Sequence, residues 1–262
     1  MTAVIKAKNE ETNIVEAIRS ARLLADEVIV VDDNSEDRTG ALARAEGARV
    51  IAATSVDGRI DELDKIGFAA ASGHWILRLD ADERLTEDLG SALRRAAEEG
   101  SCDAVAFPRR NMMFGDWPRH GGWFASDQVR FFRRSAYDPS WSAEVHSQVP
   151  VNGITLRLPT DPRYASIHLD YDSVTQFSER TLWRYAAVEA ADRYRKGIRF
   201  SAHNAVLRPL RMFFGRFVVR RGVLDGRRGL VLALLLGSYE AVIQCQLWDL
   251  ERQDTGSRVH QD

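Results

Sequence analysis

The amino-acid sequence predicts an α/β fold in which a mixed sheet is flanked by helices and followed by a helical C-terminal region. Over the first 110 residues, short apolar runs alternate with amphipathic segments, as strands and helices do in such sheets. Residues 27–31 form a nearly continuous β-branched run, which indicates a strand buried on both faces, as in a parallel sheet. Beyond residue 193 the chain becomes basic, with helical periodicity.

The individual elements follow from periodicity and capping residues. We expect strands at residues 2–7, 27–31, 49–51, 75–79 and 104–107, and shorter ones near 128–133, 144–149, 153–158 and 164–169. We expect helices at residues 13–24, 37–46, 61–72, 86–99 and 173–196. Thr86 is a typical N-cap, and Gly100 follows the same helix as a C-cap. Residues 108–150 are rich in aromatics, glycines and arginines, which is typical of loops.

Length and composition are those of a globular protein. The 262 residues suffice for one large domain or one domain with an appendage, and 45% of them are hydrophobic. Cys102 and Cys245 lack metal-ligand spacing, so we expect reduced thiols, as in a cytosolic protein. Met1 leads almost directly into a strand-like run, and no uninterrupted apolar run reaches about 18 residues. We therefore expect neither a signal peptide nor a spanning helix.

An acidic cluster that contains Asp80 and Asp82 follows the fourth strand. Residues two apart in an extended chain project to the same side, so these carboxylates repel each other unless a cation lies between or beside them. Carboxylate oxygens at a strand end suit Mg²⁺ or Mn²⁺, and Mg²⁺ usually keeps coordination positions for substrate phosphates. The alternative is an acidic turn before a helix that is N-capped by Thr86.

Three polar segments follow strands of the predicted sheet. They are the loop 8–13, the turn that begins at Asp32, and the turn that holds Asp80 and Asp82. Ligands of open α/β sheets bind at the carboxyl ends of the strands. We therefore expect the three segments to meet at one edge and to form a ligand site there.

The C-terminal region combines basic and apolar residues. Residues 193–228 hold eleven arginines and lysines and a single acid, Asp225, and an apolar run follows at 230–236. This pattern favours an interfacial anchor in peripheral contact with an anionic membrane. The alternative is a core helix with a solvated basic face. A nucleic-acid partner is disfavoured, because the overall charge of −2 is balanced and no known nucleic-acid-binding motif is present.

Three segments, Lys8–Asn13, Glu27–Thr39 and Ala71–Glu83, carry motifs in the order and spacing of a known family. Through them the sequence resembles glycosyltransferase family 2, which has the GT-A fold, a Rossmann-like mixed sheet. The resemblance is closest to the branch that includes lipopolysaccharide-core β-glucosyltransferases, which is echoed by Arg119–Phe124, Gln128–Arg134 and Glu144–His146. Together these pieces span most of residues 4–250.

The resemblance implies a site for a nucleoside-diphosphate sugar. Asp32 would accept a hydrogen bond from the nucleobase, and Asn9 and Glu10 would line the nucleotide pocket. Asp80 would face the ribose or a divalent ion, Mg²⁺ or Mn²⁺, and Asp82 would hold that ion. The alternatives are a turn carboxylate at Asp32 and a solvated loop at Asn9 and Glu10.

Three further residues acquire roles through the resemblance. Lys65 stands near the diphosphate position, where the family usually has Asn or Arg, and Arg130 would neutralise the diphosphate. His146 would orient the acceptor or touch the metal. For each residue the alternative is structural: a solvent-facing helix lysine, a surface salt bridge and a hydrogen-bonded histidine, respectively.

The implied reaction is an inverting displacement, in which an acceptor hydroxyl attacks the sugar and needs a general base. Asp127 and Glu144 are the candidate bases, and we prefer Asp127. The branch usually has an acid where this chain has Ser147. Either carboxylate could instead be an ion-pair partner of a nearby arginine.

The resemblance therefore implies transfer of a hexose, from UDP-glucose or a similar donor, to a glycan or lipid-linked acceptor in cell-envelope or polysaccharide synthesis. Residues 1–110 would bind the nucleotide sugar, 111–192 the acceptor, and 193–262 would form the basic helical region. We expect a cytoplasmic protein at the inner face of the cell membrane.

Other enzyme classes fit the sequence less well. A sugar nucleotidyltransferase would have a glycine-rich phosphate loop after the first strand, and residues 8–13 contain no glycine. A dehydrogenase is disfavoured because its glycine fingerprint is missing as well. A catalytically silent, membrane-associated scaffold with the same fold is disfavoured by the intact Asp32, Asp80 and Asp82.

Overall fold

The computed structural model describes residues 1–55, 62–141 and 148–259, so Glu144, His146 and Ser147 lie outside the described residues. The chain forms two compact units. The first comprises Met1–Arg110 and Ala125–Leu169, and the second comprises Asn111–Phe124 and Asp170–Asp262.

The described residues contain one mixed sheet. Its strands are β1 (Thr2–Ala7), β2 (Glu27–Asp32), β3 (Arg49–Ala52), β4 (Trp75–Asp80), β5 (Glu83–Arg84), β6 (Ala104–Met113), β7 (Phe124–Arg133), β8 (Thr155–Arg157) and β9 (Ser166–Tyr171). Their order is β3-β2-β1-β4-β7-β6-β9-β5, and β8 pairs with β6. Strands β1 to β4 pair in parallel, whereas β4 with β7 and β5 with β9 are antiparallel. The predicted mixed sheet is confirmed.

The α-helices of the described residues are α1 (Ile14–Ala21), α2 (Thr39–Ala45), α3 (Leu63–Ala70), α4 (Glu87–Glu99), α5 (Val174–Phe177), α6 (Ala186–Arg195), α7 (Ala202–Phe214) and α8 (Gly226–Val259). Helix α4 has both predicted caps: Thr86 Oγ1 accepts from Leu89 N at 3.3 Å, and Gly100 has a φ of 68°. The strand predicted at 104–107 is longer, because β6 continues through residues that the sequence marked as loop.

Both faces of the sheet are buried in the first unit. Ile5 and Val30 pack with α1 and α4 on one face. Val4 and Ile29 are their neighbours along the strands and pack with α3 on the other face. This alternation with period two explains why the strands of the parallel part read as continuous apolar runs.

The register of the parallel strands brings the predicted polar turns to one edge. Lys6 of β1 pairs with Asp80 of β4, and Ala7 pairs with Asp32 of β2. The carboxyl ends of these three strands therefore lie side by side, where ligands of open α/β sheets bind.

Helix α8 runs through the second unit. The segment Gly222–Asp254 is long and apolar enough to cross a membrane, although core helices meet the same criteria and 39% of its most apolar window is buried. Ile243 and Leu247 are fully buried with residues of α6. Glu240 pairs with Arg193 of α6 at 3.1 Å. These contacts bury one side of α8, from Glu240 to Leu247, within the second unit.

Candidate functional site

Asp33, the residue after β2, holds two loops together. Its Oδ1 accepts from Ser55 N at 2.7 Å, and its Oδ2 accepts from Ser55 Oγ at 2.8 Å and from Lys8 Nζ at 3.0 Å. Burial of the carboxyl opposes ionisation, but these hydrogen bonds and the Lys8 charge outweigh burial and lower the pKa of Asp33. Asp33 is therefore a structural carboxylate.

Asp32 is the last residue of β2, and the described hydrogen bonds that its carboxylate accepts all go to one oxygen. Its Oδ1 accepts from Ser35 N at 3.0 Å and from Ser35 Oγ at 2.5 Å. Among the described residues none donates a hydrogen bond to Oδ2. That oxygen lies beside Gly40, where a Cβ atom would approach it to 2.7 Å. Asp32 thus keeps one oriented acceptor oxygen next to a position without a side chain.

Asn9 and Glu10 join the loop after β1 to the loop after β2. Asn9 N donates to Ser35 Oγ at 2.9 Å, and Asn9 Oδ1 accepts from Glu36 N at 2.8 Å. Glu10 N donates to Thr39 Oγ1 at 2.7 Å. Two of the three predicted polar segments therefore form one bonded structure around Asp32.

Asp80 ends β4 among cations. Lys6 Nζ lies 2.8 Å from its Oδ1, and Arg130 Nη1 lies 3.4 Å from its Oδ2. Burial opposes ionisation, but the charges of Lys6, Arg130 and Arg78 outweigh it and hold the pKa of Asp80 well below its usual value. Asp80 is therefore an anion whose charge the protein itself compensates.

Asp82 faces a histidine that the sequence gave no reason to select. Its Oδ2 lies 3.3 Å from Nε2 of His168 in β9. Burial lowers the pKa of His168, but the hydrogen bond and charge of Asp82 outweigh burial, so the pKa lies above its ordinary value. The strand pairing that places His168 here is antiparallel and matches it with Glu83 of β5.

Glu83 is a second residue that sequence reasoning did not select. Its side chain is fully buried, with Oε1 accepting from Arg109 at 3.1 Å and Oε2 from Arg130 at 2.6 Å. Arg130 is buried as well and also donates to Gln128 at 3.2 Å. The partner of Arg130 is thus a buried carboxylate, which differs from the surface salt bridge considered as the alternative.

Lys65 and Asp127 also lie in ion pairs. Lys65 Nζ is 2.7 Å from Oε2 of Glu62, three residues earlier, and the lysine is half-buried. Asp127 of β7 pairs with Arg157 of β8. Within the described part of the chain, neither residue forms an ion pair with another predicted site residue.

The carboxylate and imidazole at the sheet edge fit a divalent ion whose remaining ligands come from the substrate and water. In residues 1–55, 62–141 and 148–259, no group of three or more His, Cys, Asp or Glu side chains could hold a metal. Asp82 and His168 offer one carboxylate and one imidazole. Mg²⁺ and related ions are often held by one or two protein groups, with substrate phosphates and water as the remaining ligands.

Comparisons with known proteins identify the family of the chain. The family described as Glycosyl transferase family 2 matches residues 2–157, more than half of the chain. An uncharacterized glycosyltransferase of Rickettsia typhi is 25% identical over 247 residues, which cover 90% of this chain and 82% of that protein. One of Rickettsia bellii is 40% identical over 91 residues, which cover 34% of this chain and 30% of that protein. The alignment thus spans less than a third of the R. bellii relative.

Two solved structures are similar to parts of the chain. Glucosyl-3-phosphoglycerate synthase from Mycobacterium tuberculosis, in complex with Mn²⁺ and UDP-glucose, is 22% identical. The match covers 52% of this chain and 56% of that one, with a TM-score of 0.38. TarS of S. aureus is 17% identical over 90% of this chain and 48% of its own, with a TM-score of 0.47. On the family match, which includes β1 to β4 and their acidic turns, the chain belongs to glycosyltransferase family 2 and has the GT-A fold.

Proposed function

We propose that the chain transfers a hexose from a nucleoside-diphosphate sugar to a hydroxyl of a glycan or lipid-linked acceptor, with inversion at the sugar. One observation carries the proposal: Asp82 Oδ2 and His168 Nε2 meet at 3.3 Å, just beyond the end of the strand that carries Asp80. A cation site next to a nucleotide site is what this transfer needs. UDP-glucose is the first donor to test, because it is the commonest donor of the branch that the sequence resembles.

In this proposal Asp82 and His168 hold the divalent cation. When bound, the cation supplies positive charge that stabilises the negative charge on the departing diphosphate. Carboxylate oxygens suit Mg²⁺ and Mn²⁺ alike, whereas an imidazole nitrogen suits transition metals, so the pair favours Mn²⁺ over Mg²⁺. We assign Asp80 to the ribose side of the donor, because Lys6 and Arg130 already compensate its charge.

The nucleobase would bind at Asp32. An acceptor oxygen held in place by Ser35 suits an N–H group of the base, and Oδ2 is the atom left for it. Asn9 and Glu10 support this position by joining the flanking loops. The absence of a side chain at Gly40 leaves room beside Oδ2.

The chemistry is a displacement at the anomeric carbon. The acceptor oxygen bonds to that carbon as the bond to the diphosphate oxygen breaks, and the hydroxyl proton passes to a carboxylate. Asp127 and Glu144 remain the candidate bases, and Asp127 forms an ion pair with Arg157. Lys65 is the more accessible of the two cations assigned near the diphosphate, since Arg130 is buried. His146 would orient the acceptor or touch the cation.

The test is a panel of nucleoside-diphosphate sugars with Mn²⁺, scored by release of the nucleoside diphosphate. We expect release from one donor class, loss of release with EDTA, and a reduction of about a hundredfold in Asp82→Ala. Undiminished turnover of Asp82→Ala would contradict the metal role. No release from any donor, with the folded chain and Mn²⁺ present, would contradict the proposed transfer.

We also propose that the reaction takes place at the cytoplasmic face of the cell membrane and serves cell-envelope or polysaccharide synthesis. Support comes from the basic and apolar composition of residues 193–262 and from the lipid-linked acceptors of the resembling branch.

A further inference from the structure

The second unit exposes apolar side chains around the turn between α7 and α8. Val206, Leu210, Phe214 and Val218 recur every four residues, so they share one helix face, and all four are exposed. The hairpin surface consists of these residues together with Val219, Val223, Leu224, Leu230, Val231 and Leu234, which are also exposed. Val219 is 79% exposed at the end of the π-helical turn that continues α7, and Leu224 is 63% exposed in the 3-10 turn that precedes α8.

These side chains are not the packing face of α7. A Cβ atom at Gly237 of α8 would lie 3.3 Å from the Pro209 carbonyl oxygen and 3.7 Å from Phe213 Cβ. The helices therefore approach closely through that face, and the hairpin surface remains outside the contact. A contiguous exposed apolar area on a folded unit marks an interaction site.

The charges next to the hairpin surface have one sign. Residues 202–234 contain seven arginines and a single acid, Asp225. The Asp225 carboxylate forms its hydrogen bonds within the unit. It accepts from the backbone N of Arg119 at 3.2 Å and of His120 at 2.9 Å. Its Oδ1 also lies 3.0 Å from Nδ1 of the His120 ring. Arg228 pairs with Asp116, and the other six arginines form no ion pair with any described residue: Arg208, Arg211, Arg216, Arg220, Arg221 and Arg227.

Arginines also line a cleft of about 800 Å³ beside the same surface. Arg208, Arg211, Arg216 and Arg220 contribute to its walls together with Phe214. Glu240 also lines it, and its carboxylate pairs with Arg193 at 3.1 Å. Burial, and then the charge of Arg220, lower the pKa of Arg216, whose Nη1 donates to the backbone carbonyls of Gly121 and Gly122. Such a cleft attracts an anion, and its apolar neighbour suits the chain attached to a lipid headgroup.

We propose that the hairpin surface docks on an anionic phospholipid bilayer, with its apolar side chains entering the interface and the arginines binding headgroup phosphates. Charge complementarity argues for this occupant rather than a second copy of the chain. In a twofold dimer the same patch meets itself, which would oppose arginines to arginines without acids between them. The proposal goes beyond the transfer reaction and does not depend on it.

The experiment is flotation of the full chain with vesicles of phosphatidylcholine, with and without phosphatidylglycerol. We expect partitioning into the anionic vesicles to exceed that into neutral ones by at least about tenfold. Val219→Asp with Leu224→Asp should reduce binding to anionic vesicles by at least about tenfold. Arg220→Gln with Arg221→Gln should reduce it by about 25-fold, at about fivefold for each arginine.

Val188→Asp is the matched control, because Val188 is 63% exposed on α6 and lies outside the hairpin surface. It should float like the unsubstituted chain, and circular dichroism should show all variants folded. Equal flotation of the Val219 and Leu224 double variant, or no preference for anionic vesicles, overturns the proposal. The proposal would also be overturned if the chain did not bind vesicles and instead sedimented as a dimer that Val219→Asp dissociates. That result would show that a second copy of the chain covers the hairpin surface.

Discussion

His168 Nε2 lies 3.3 Å from Asp82 Oδ2, although one side chain belongs to β9 and the other to the turn after β4. The contact exists because the two-residue strand β5 pairs antiparallel with β9 and aligns Glu83 with His168. The imidazole is thereby fixed next to the acidic turn. A carboxylate and an imidazole that are already oriented lose little conformational entropy when a cation binds them.

The first prediction concerns this pair. His168→Ala should lower the affinity for Mn²⁺ in the presence of uridine diphosphate by at least about tenfold, since even residues that only orient a metal ligand are worth that much. Asp82→Asn should do the same. Titration calorimetry or the electron paramagnetic resonance of free Mn²⁺ measures the affinity directly. The readout is independent of the acceptor.

Asp161→Asn is the control for that titration, because the Asp161 carboxylate pairs with Arg163 at 2.9 Å in an exposed turn and bonds no predicted site residue among the described ones. Its Mn²⁺ affinity should equal that of the unsubstituted chain. If His168→Ala binds Mn²⁺ as tightly as the control does, the imidazole is not a ligand and serves Asp82 only as an ion-pair partner.

The second prediction separates Asp32 from its neighbour. Asp32→Asn keeps an acceptor for Ser35 but can place an N–H donor where Oδ2 was, opposite the expected N–H of the nucleobase. Nucleotide affinity should fall by about tenfold or more, because the hydrogen bond lost involves a charged group. The free energy of unfolding should fall by less than in Asp33→Asn, because the amide oxygen can still accept both hydrogen bonds from Ser35. Equal nucleotide affinity in a folded variant would remove Asp32 from the base-binding role.

The third prediction is that substitution of Asp33 lowers the stability of the fold, in contrast to Asp32, where nucleotide affinity should fall. Asp33→Asn replaces a buried carboxylate oxygen that accepts from Ser55 or Lys8, and should cost about 1.5–3 kcal/mol of unfolding free energy at pH 7. The folded pKa of Asp33 is lowered, so the stabilisation is full above the unfolded value of about 3.9 and disappears as pH falls through the folded pKa.

Urea unfolding at several pH values measures the effect at Asp33. The difference in unfolding free energy between the variant and the unsubstituted chain should shrink below about pH 4, within the range in which both remain folded. A difference that stays constant across this range would show that Asp33 contributes through shape and neutral hydrogen bonds rather than through its charge.

The sequence predicted the parallel half of the sheet well because local signals agree there. Strand β2 is a β-branched run, and α4 has a hydroxyl N-cap and a glycine C-cap. The extension of β6 was missed because Arg109 and Arg110 look like loop residues. Arg109 is tolerated in the strand because buried Glu83 accepts its hydrogen bond at 3.1 Å. That partner becomes visible only when the strands are assembled.

The candidate site divides in the same way. Asp32, Asp80 and Asp82 follow strands directly, so their common edge could be predicted from strand order alone. His168 could not, because an isolated histidine in a strand gives no local signal, and the antiparallel register that brings it to Asp82 depends on distant segments. The hydrophobic periodicity of a sequence predicts local helices and strands, but it does not predict which distant strands pair.

The fourth prediction tests the buried charges behind the site. Glu83 is fully buried and its two oxygens accept from Arg109 and Arg130, so Glu83→Gln leaves the buried Arg130 charge with less compensation. Removing one partner of a buried ion pair costs about 3–5 kcal/mol of unfolding free energy. Glu16→Gln, which breaks an exposed pair with Arg19, should cost less than about 0.5 kcal/mol under the same conditions.

A double-substitution cycle distinguishes a coupled pair from two independent losses. Arg130→Met alone should also destabilise the chain, because among the described residues it leaves the buried Glu83 carboxylate with Arg109 as its ion-pair partner. Combined with Glu83→Gln, the cost should be smaller than the sum by roughly 1–3 kcal/mol, since each substitution removes the charge that the other leaves uncompensated. Urea unfolding of the four proteins gives the coupling. Strict additivity would mean that Asp80 and Gln128, rather than Glu83, determine how Arg130 is accommodated.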